Sequence, residues 1–306
     1  METKNPILCD PETGFCEIPG INTNKEALNN PQVKEKTVRL VYFTDPICSS
    51  CWGIEGQLRK LKLEYGHELT IDYRMGGLLP SFDNNYNSGG ITKPADVAVH
   101  WDHASDYYQM PIDGNVWLED PLSSSYPPSI AFKAAQLQSE EKAVAFLRSM
   151  REMLFLQKKN ISKWEVLAEA ARLSGLDITK LKDDYEGKAQ TLFQEDLNLS
   201  REMGVRGFPT IYFFNDTGLQ EVVSGSKPYE SYEKAILKSF PEVKRTDYSK
   251  DALELVHKFG SITIKELSVL AEISMSDAEK ELLRLQNENK LAVIVSRKGN
   301  LWRLKE

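Results

Sequence analysis

Cys48 and Cys51 stand two residues apart in the segment Asp45-Pro-Ile-Cys-Ser-Ser-Cys-Trp-Gly53. At this spacing one sulfur can attack a disulfide and the other can resolve the mixed disulfide that forms, closing a small ring and releasing the substrate. Only the thiolate attacks, so such a pair needs surroundings that favour negative charge near neutral pH. The expected roles are Cys48 as nucleophile and Cys51 as resolving thiol. Ser49 and Ser50 are small and hydroxylated and permit the turn. The competing chemistry is half of a zinc site, which needs two more ligands at compatible spacing. The nearby candidates are Cys9 and Cys16, whose six intervening residues exceed the usual two to four of paired zinc cysteines. The redox reading is therefore preferred, with no metal and no prosthetic group expected.

Cys9-Asp-Pro-Glu-Thr-Gly-Phe-Cys16 contains a turn sequence able to bring its ends together. Its cysteines read as a second redox pair that exchanges disulfides with Cys48, as two inert thiols, or as metal ligands, the first being favoured. Asp45 could move a proton to or from Cys51, but an Asp before a Pro is more often a turn-former, and that reading is preferred. His67, His100, His103 and His257 are scattered; His100 and His103, three apart, lack a Cys or acid to complete a metal set. Trp101, Tyr107, Tyr108 and Trp117 are expected to pack a helical lid region.

Chemistry at Cys48 requires a helix start, where free backbone N–H groups and the helix dipole favour an anion. The sequence supplies one. Thr37 to Phe43 is a β-branched and aromatic run ending at Asp45-Pro46, so the cysteines follow a strand directly. Ile54, Leu58, Leu61 and Leu63 then recur at near-helical spacing, and Leu69 to Arg74 alternates as a second strand. From Pro94 to Ser200 the pattern is helical almost throughout, punctuated by Pro127-Pro128 and Gly175. Gly204-Val-Arg-Gly-Phe-Pro-Thr210 leads into a hairpin over Ile211 to Phe214 and Leu219 to Val223, and a helix from Tyr229 to Ser239.

A chain of 306 residues with 41% hydrophobic and 27% charged residues has the make-up of an ordinary globular protein of two or three domains. The expected division is an extended arm with little structure of its own over 1–36, an α/β core over 37–93 and 204–245, a helical insertion over 94–203, and a small unit over 247–306. That last unit reads as helices from Asp251 to Phe259, Ile264 to Ala271 and Ser276 to Asn289, followed by a hairpin, which is a winged-helix pattern. Ser276 is the expected cap of the third helix, with Glu279 three residues on. A DNA-binding reading meets Asp277, Glu279, Glu281 and Glu288 on the recognition helix and a chain net charge of −7. Protein contact or domain packing is favoured over duplex binding despite Arg297, Lys298 and Arg303 in the wing. The N-terminus offers no signal-peptide pattern and no stretch suits a membrane span, so a cytoplasmic protein is expected.

The strand with Cys48-Ser-Ser-Cys51, the helical insertion and the Gly204 to Thr210 segment before a hairpin together resemble the DsbA-like thioredoxin family. The Asp-Pro-x-Cys-x-x-Cys-Trp opening and Tyr73-Arg-Met-Gly-Gly-Leu-Leu-Pro80 resemble its FrnE and YjbH branches. Phe146-Leu-Arg and Met153 to Ile161 resemble YjbH-like helices. The resemblance covers roughly residues 37 to 240 and rests on the combination, since a lone CxxC is weak. It implies a thioredoxin-like fold and a cis Pro209 facing the CxxC, with Phe208, Thr210 and Trp52 shaping the surface where a substrate chain lies. FrnE-like members are oxidoreductases or isomerases acting on protein thiols and disulfides. YjbH-like members are adaptors that deliver a stress regulator to the ClpXP protease. The leading expectation is a thiol-disulfide oxidoreductase, the alternative an adaptor or redox sensor that binds a client protein and a protease.

Overall fold

Residues 9–10, 15–17, 38–82 and 91–305 are described by the structure, a computed structural model of the chain. Most of the N-terminal arm, including the turn between Cys9 and Cys16 and the strand start at Thr37, lies outside them. Two short pieces of the arm are strands, β1 (Cys9–Asp10) and β2 (Phe15–Glu17). The arm was expected to have little structure of its own; these two pieces pair with each other, and β2 finds ladder partners in residues 207 and 208.

The β-branched run beginning at Val38 forms β3 (Val38–Thr44), which is buried along almost all of its length because it is covered on both faces. The helical repeat behind the cysteines is split in two, α1 (Ser49–Gly53) and α2 (Glu55–Tyr65), and β4 (Leu69–Met75) returns parallel to β3. The insertion contains α3 (Pro94–Tyr108), α4 (Val116–Glu119), α5 (Tyr126–Gln136), α6 (Glu140–Gln157), α7 (Trp164–Leu173), α8 (Ile178–Glu186) and α9 (Lys188–Glu202). Local chemistry sets several of these starts. Ser139 caps α6 by accepting from the Lys142 N–H, Asp177 caps α8 through Lys180, and Pro127 and Pro128 open α5 where a missing N–H costs nothing.

After the insertion the chain forms β5 (Gly207–Phe208), β6 (Thr210–Asn215), β7 (Gly218–Ser224) and α10 (Tyr229–Ser239). The main sheet runs β4-β3-β6-β7, with β3 parallel to β4 and antiparallel to β6. Two hydrophobic layers cover it: α1 and α2 with α10, and the insertion, whose Phe132, Phe146, Leu154 and Phe155 join the same buried cluster as Leu40, Tyr42 and Phe43. This is a thioredoxin-like α/β fold carrying a large helical insertion.

The C-terminal unit consists of α11 (Ala252–Phe259), β8 (Ser261–Thr263), α12 (Ile264–Ala271), α13 (Met275–Asn287), β9 (Leu291–Ser296) and β10 (Gly299–Leu304), its strands ordered β8-β10-β9. Sequence analysis did not foresee β8. The cap of α13 is Ser274, accepting from the Asp277 N–H, and not Ser276 with Glu279. The shift follows from Glu272, whose left-handed backbone ends α12 and leaves Ser274 extended, the conformation an N-cap requires.

This unit is locked to the rest of the molecule by buried charge. At the start of α12, Thr263 and Glu266 form a reciprocal capping box, and the Glu266 carboxylate also receives both Arg148 Nη atoms, at 2.6 and 3.1 Å, and Arg59 at 3.2 Å. Burial alone would raise Glu266, but the two guanidinium groups outweigh it and hold its carboxyl at about 2. In the turn between β9 and β10, Arg297 pairs with Asp102 and Asp113, and Lys298 with Asp106 at 3.0 Å. Two of the three basic residues that invited a nucleic-acid reading are thus spent on acids of α3 and its following loop, which is domain packing.

Candidate functional site

The chain turns sharply where β3 ends, and Asp45 makes the turn. Its carboxylate accepts from the Ile47 N–H at 3.0 Å, as a turn-forming Asp does, and its second oxygen accepts from the Leu78 N–H at 2.8 Å and the Ser125 hydroxyl at 2.9 Å. The residue therefore pins the Gly76–Leu79 segment and the start of α5 beside the cysteines. Burial pushes its carboxyl up to about 6 against these hydrogen bonds.

Cys48 is the N-cap of α1, and its sulfur accepts from the Cys51 N–H at 3.1 Å. The strand-to-helix junction foreseen from sequence is in place, and the two thiols are not bridged to each other. Both sulfurs are shut away, at 0% exposure. Burial pushes the Cys48 thiol well up, and its hydrogen bond to Cys51 adds to that. Burial also opposes ionisation of Cys51, but the bond from Cys48 and the charge of Arg151 outweigh it, leaving Cys51 below the ordinary thiol range. Of the two thiols, Cys51 is thus the one whose surroundings favour the thiolate. Part of the cause is a cation that sequence patterning did not single out. Arg151, fully buried on α6, donates to Glu55 at 2.5 Å, to the Thr44 hydroxyl at 2.7 Å and to the Asp45 carbonyl at 3.2 Å.

Around this centre the packing is tight. Ser50 shares a 2.8 Å hydrogen bond with the Tyr108 hydroxyl, and Gly53 leaves room for that ring: a Cβ there would lie 2.6 Å from it. Trp52 was expected on a substrate surface. The structure places it in the core instead, donating to the Pro111 carbonyl at 3.0 Å, stacked on Phe155 and capped by the Arg148 guanidinium 4.4 Å above the ring. Trp101 and Trp117 pack edge to face with centroids 5.4 Å apart, Trp101 also meets Phe155, and Tyr107 is half exposed.

The Phe208–Pro209 bond is cis, as the resemblance implied. Thr210 donates to the Gly207 carbonyl at 2.8 Å and the Pro209 carbonyl accepts from the Gly225 N–H at 2.8 Å, which fixes the loop at both ends. The Phe208 ring lies against Gly76, where a Cβ would come within 1.7 Å of it. Phe208 and Thr210 are themselves buried. A signal for this contact was present in the Gly76-Gly77 pair, but nothing in the sequence paired it with Phe208. Across this loop β2 runs antiparallel to β5, with Cys16 opposite Phe208, and Cys9 lies opposite Cys16 in β1. Among the described residues no three His, Cys, Asp or Glu side chains gather as a metal site, and His100 and His103 on α3 gain no third ligand. No described helix is long and apolar enough to cross a membrane.

A CxxC at a strand-to-helix junction, a cis-proline loop and a helical insertion within a β4-β3-β6-β7 sheet define a DsbA-like thioredoxin-fold protein. A family model described as thioredoxin matches residues 42–234. The solved cytosolic disulfide reductase DsbM of Pseudomonas aeruginosa shares the fold, with a TM-score of 0.51 and 20% identity over 65% of this chain and 98% of that one. The ClpXP adapter protein SpxH of Halalkalibacterium halodurans is 35% identical over 310 residues, covering 99% of both chains. SpxH of Bacillus subtilis is 32% identical over 276 residues, covering 88% of this chain and 90% of that protein. The chain belongs to the SpxH family of thioredoxin-fold proteins.

These relatives overturn the expectation that the chain is an enzyme whose work is thiol-disulfide turnover. The first aligns over 99% of both chains and so takes in the C-terminal unit, and both are named adapters. The physical reason lies in the site: a disulfide substrate has to meet a sulfur, and both sulfurs are buried.

Proposed function

We propose that this chain is a cytoplasmic adaptor that presents a client protein to the ClpXP protease, with the thioredoxin-like unit serving as a scaffold. The end-to-end similarity to the adapter proteins carries this reading, since it spans the core, the insertion and the C-terminal unit together. The site supports it from the chemical side. A buried CxxC, with Ser50 held by the Tyr108 hydroxyl and Trp52 in the core, organises the junction of β3 and α1 more readily than it meets large substrates. The locked C-terminal unit fits the same role, because an adaptor must hold two partners in a fixed relation.

Protein half-lives test the proposal. They are to be measured by quantitative mass spectrometry after translation arrest in wild-type cells, cells lacking this chain and cells lacking ClpX. At least one protein is expected to be short-lived in the wild type and long-lived in both deletions, and to bind the purified chain. No protein meeting both conditions would contradict the adaptor reading.

A further inference from the structure

The strands of the N-terminal arm have no part in the reading above, yet their register is specific. β1 and β2 are antiparallel, with Cys9 opposite Cys16 and Asp10 opposite Phe15. β2 is in turn antiparallel to β5, with Cys16 opposite Phe208 and Glu17 opposite Gly207. The arm thus extends a sheet onto the two residues that precede the cis Pro209. A strand edge offers N–H and C=O groups to any extended segment, whether from its own chain or from another. Pro209 has no N–H, so the donors on this edge stop at Phe208.

We propose that β2 is a built-in occupant of the β5 edge, shielding it from extended segments of other proteins, and that a Cys9–Cys16 disulfide fixes the hairpin in its seated form. Length argues that the seat is reversible. β5 is two residues long and β2 three, and a hairpin of this size is marginal by itself. Register argues for the lock. Directly opposed residues of an antiparallel pair have Cα atoms about 4.5–5.5 Å apart, inside the span of about 4.4–6.8 Å that a disulfide bridges. With a diazene such as diamide as oxidant the step balances. The two thiols give up two protons and two electrons, an S–S bond forms, and the N=N bond is reduced to a hydrazine.

That the arm would exclude a client segment rests on the adaptor reading; the seat and its lock do not. Hydrogen exchange read by mass spectrometry on the full-length protein tests both without a client. Cys16→Pro removes an N–H and disrupts pairing by β2. Exchange across Gly207 and Phe208 is expected to be about tenfold faster in this variant than in the reduced wild type. Deletion of residues 1–20, which removes β1 and β2, should give the same rise. After diamide, the wild type should exchange there about tenfold more slowly than diamide-treated Cys9→Ser, with peptide mapping showing the Cys9–Cys16 link. Unchanged exchange at 207–208 in both arm variants would overturn the seat. A bridge mapped to Cys48 or between two chains would overturn the lock.

Discussion

Asp45 binds its proton more tightly in the native protein than in the unfolded chain, its carboxyl moving from an ordinary 3.8 to about 6. The sign of its effect on stability follows. Below about pH 4 both states are protonated; between about 4 and 6 the unfolded chain ionises first, and native stability falls; above about 6 the loss is complete. A shift of this size corresponds to about 3 kcal/mol. Denaturant titrations of wild type and Asp45→Asn should therefore show a stability difference that moves against the wild type by up to about 3 kcal/mol as the pH rises from 4 to 6. A difference that stays flat across that range would contradict the assignment. The same residue ties Leu78 and Ser125 to the cysteine turn, so its carboxylate is retained for its hydrogen bonds despite its cost. Arg151 acts beside it as the buried countercharge, reaching Glu55, Thr44 and the backbone of Asp45 with one guanidinium group.

The elements meet through two glycines, which let rings lie against backbone. Gly76→Ala would drive a methyl into Phe208, and the substitution is expected to cost about 1–3 kcal/mol in equilibrium unfolding, since neither β4 nor the cis-proline loop can move aside. An unfolding midpoint equal to the wild type would show that the contact is loose. Such contacts also mark the limit of what the sequence discloses. The strand at Val38, the helix start at Cys48 and the hairpin after Pro209 were legible because period, capping position and turn residues are local signals. Asp45 was legible as a turn-former for the same reason. Its bond to Ser125, the pairing of Gly76 with Phe208 and the placement of Arg151 under the cysteines join residues 80 or more apart, and no local pattern encodes them. Trp52 was misread because the CxxCW motif names a residue without stating which way its ring points. The cap of α13 slipped by two residues because Ser274 and Ser276 are equivalent in sequence and only the preceding left-handed Glu272 separates them.

Across the whole molecule, charge links the C-terminal unit to the cysteine helix. Glu266 of α12 holds Arg148, Arg148 lies over the Trp52 ring, and Glu152, one turn on from Arg148, receives the Ser261 hydroxyl of β8. On the other flank Arg297 and Lys298 engage the acids of α3 and its following loop. Both contacts fix the C-terminal unit against the helical insertion, a rigid arrangement of the kind the proposed adaptor role would use to hold two proteins together. The most direct measurement of that account removes both thiols. In cells lacking this chain, the Cys48→Ser, Cys51→Ser double variant is to be expressed at the wild-type level, and the half-life of a protein stabilised by the deletion is to be followed. The account predicts that under reducing growth conditions the variant restores rapid, ClpX-dependent degradation as fully as the wild type. A half-life that stays at the deletion value, in a variant shown by its unfolding midpoint to be folded, would contradict it.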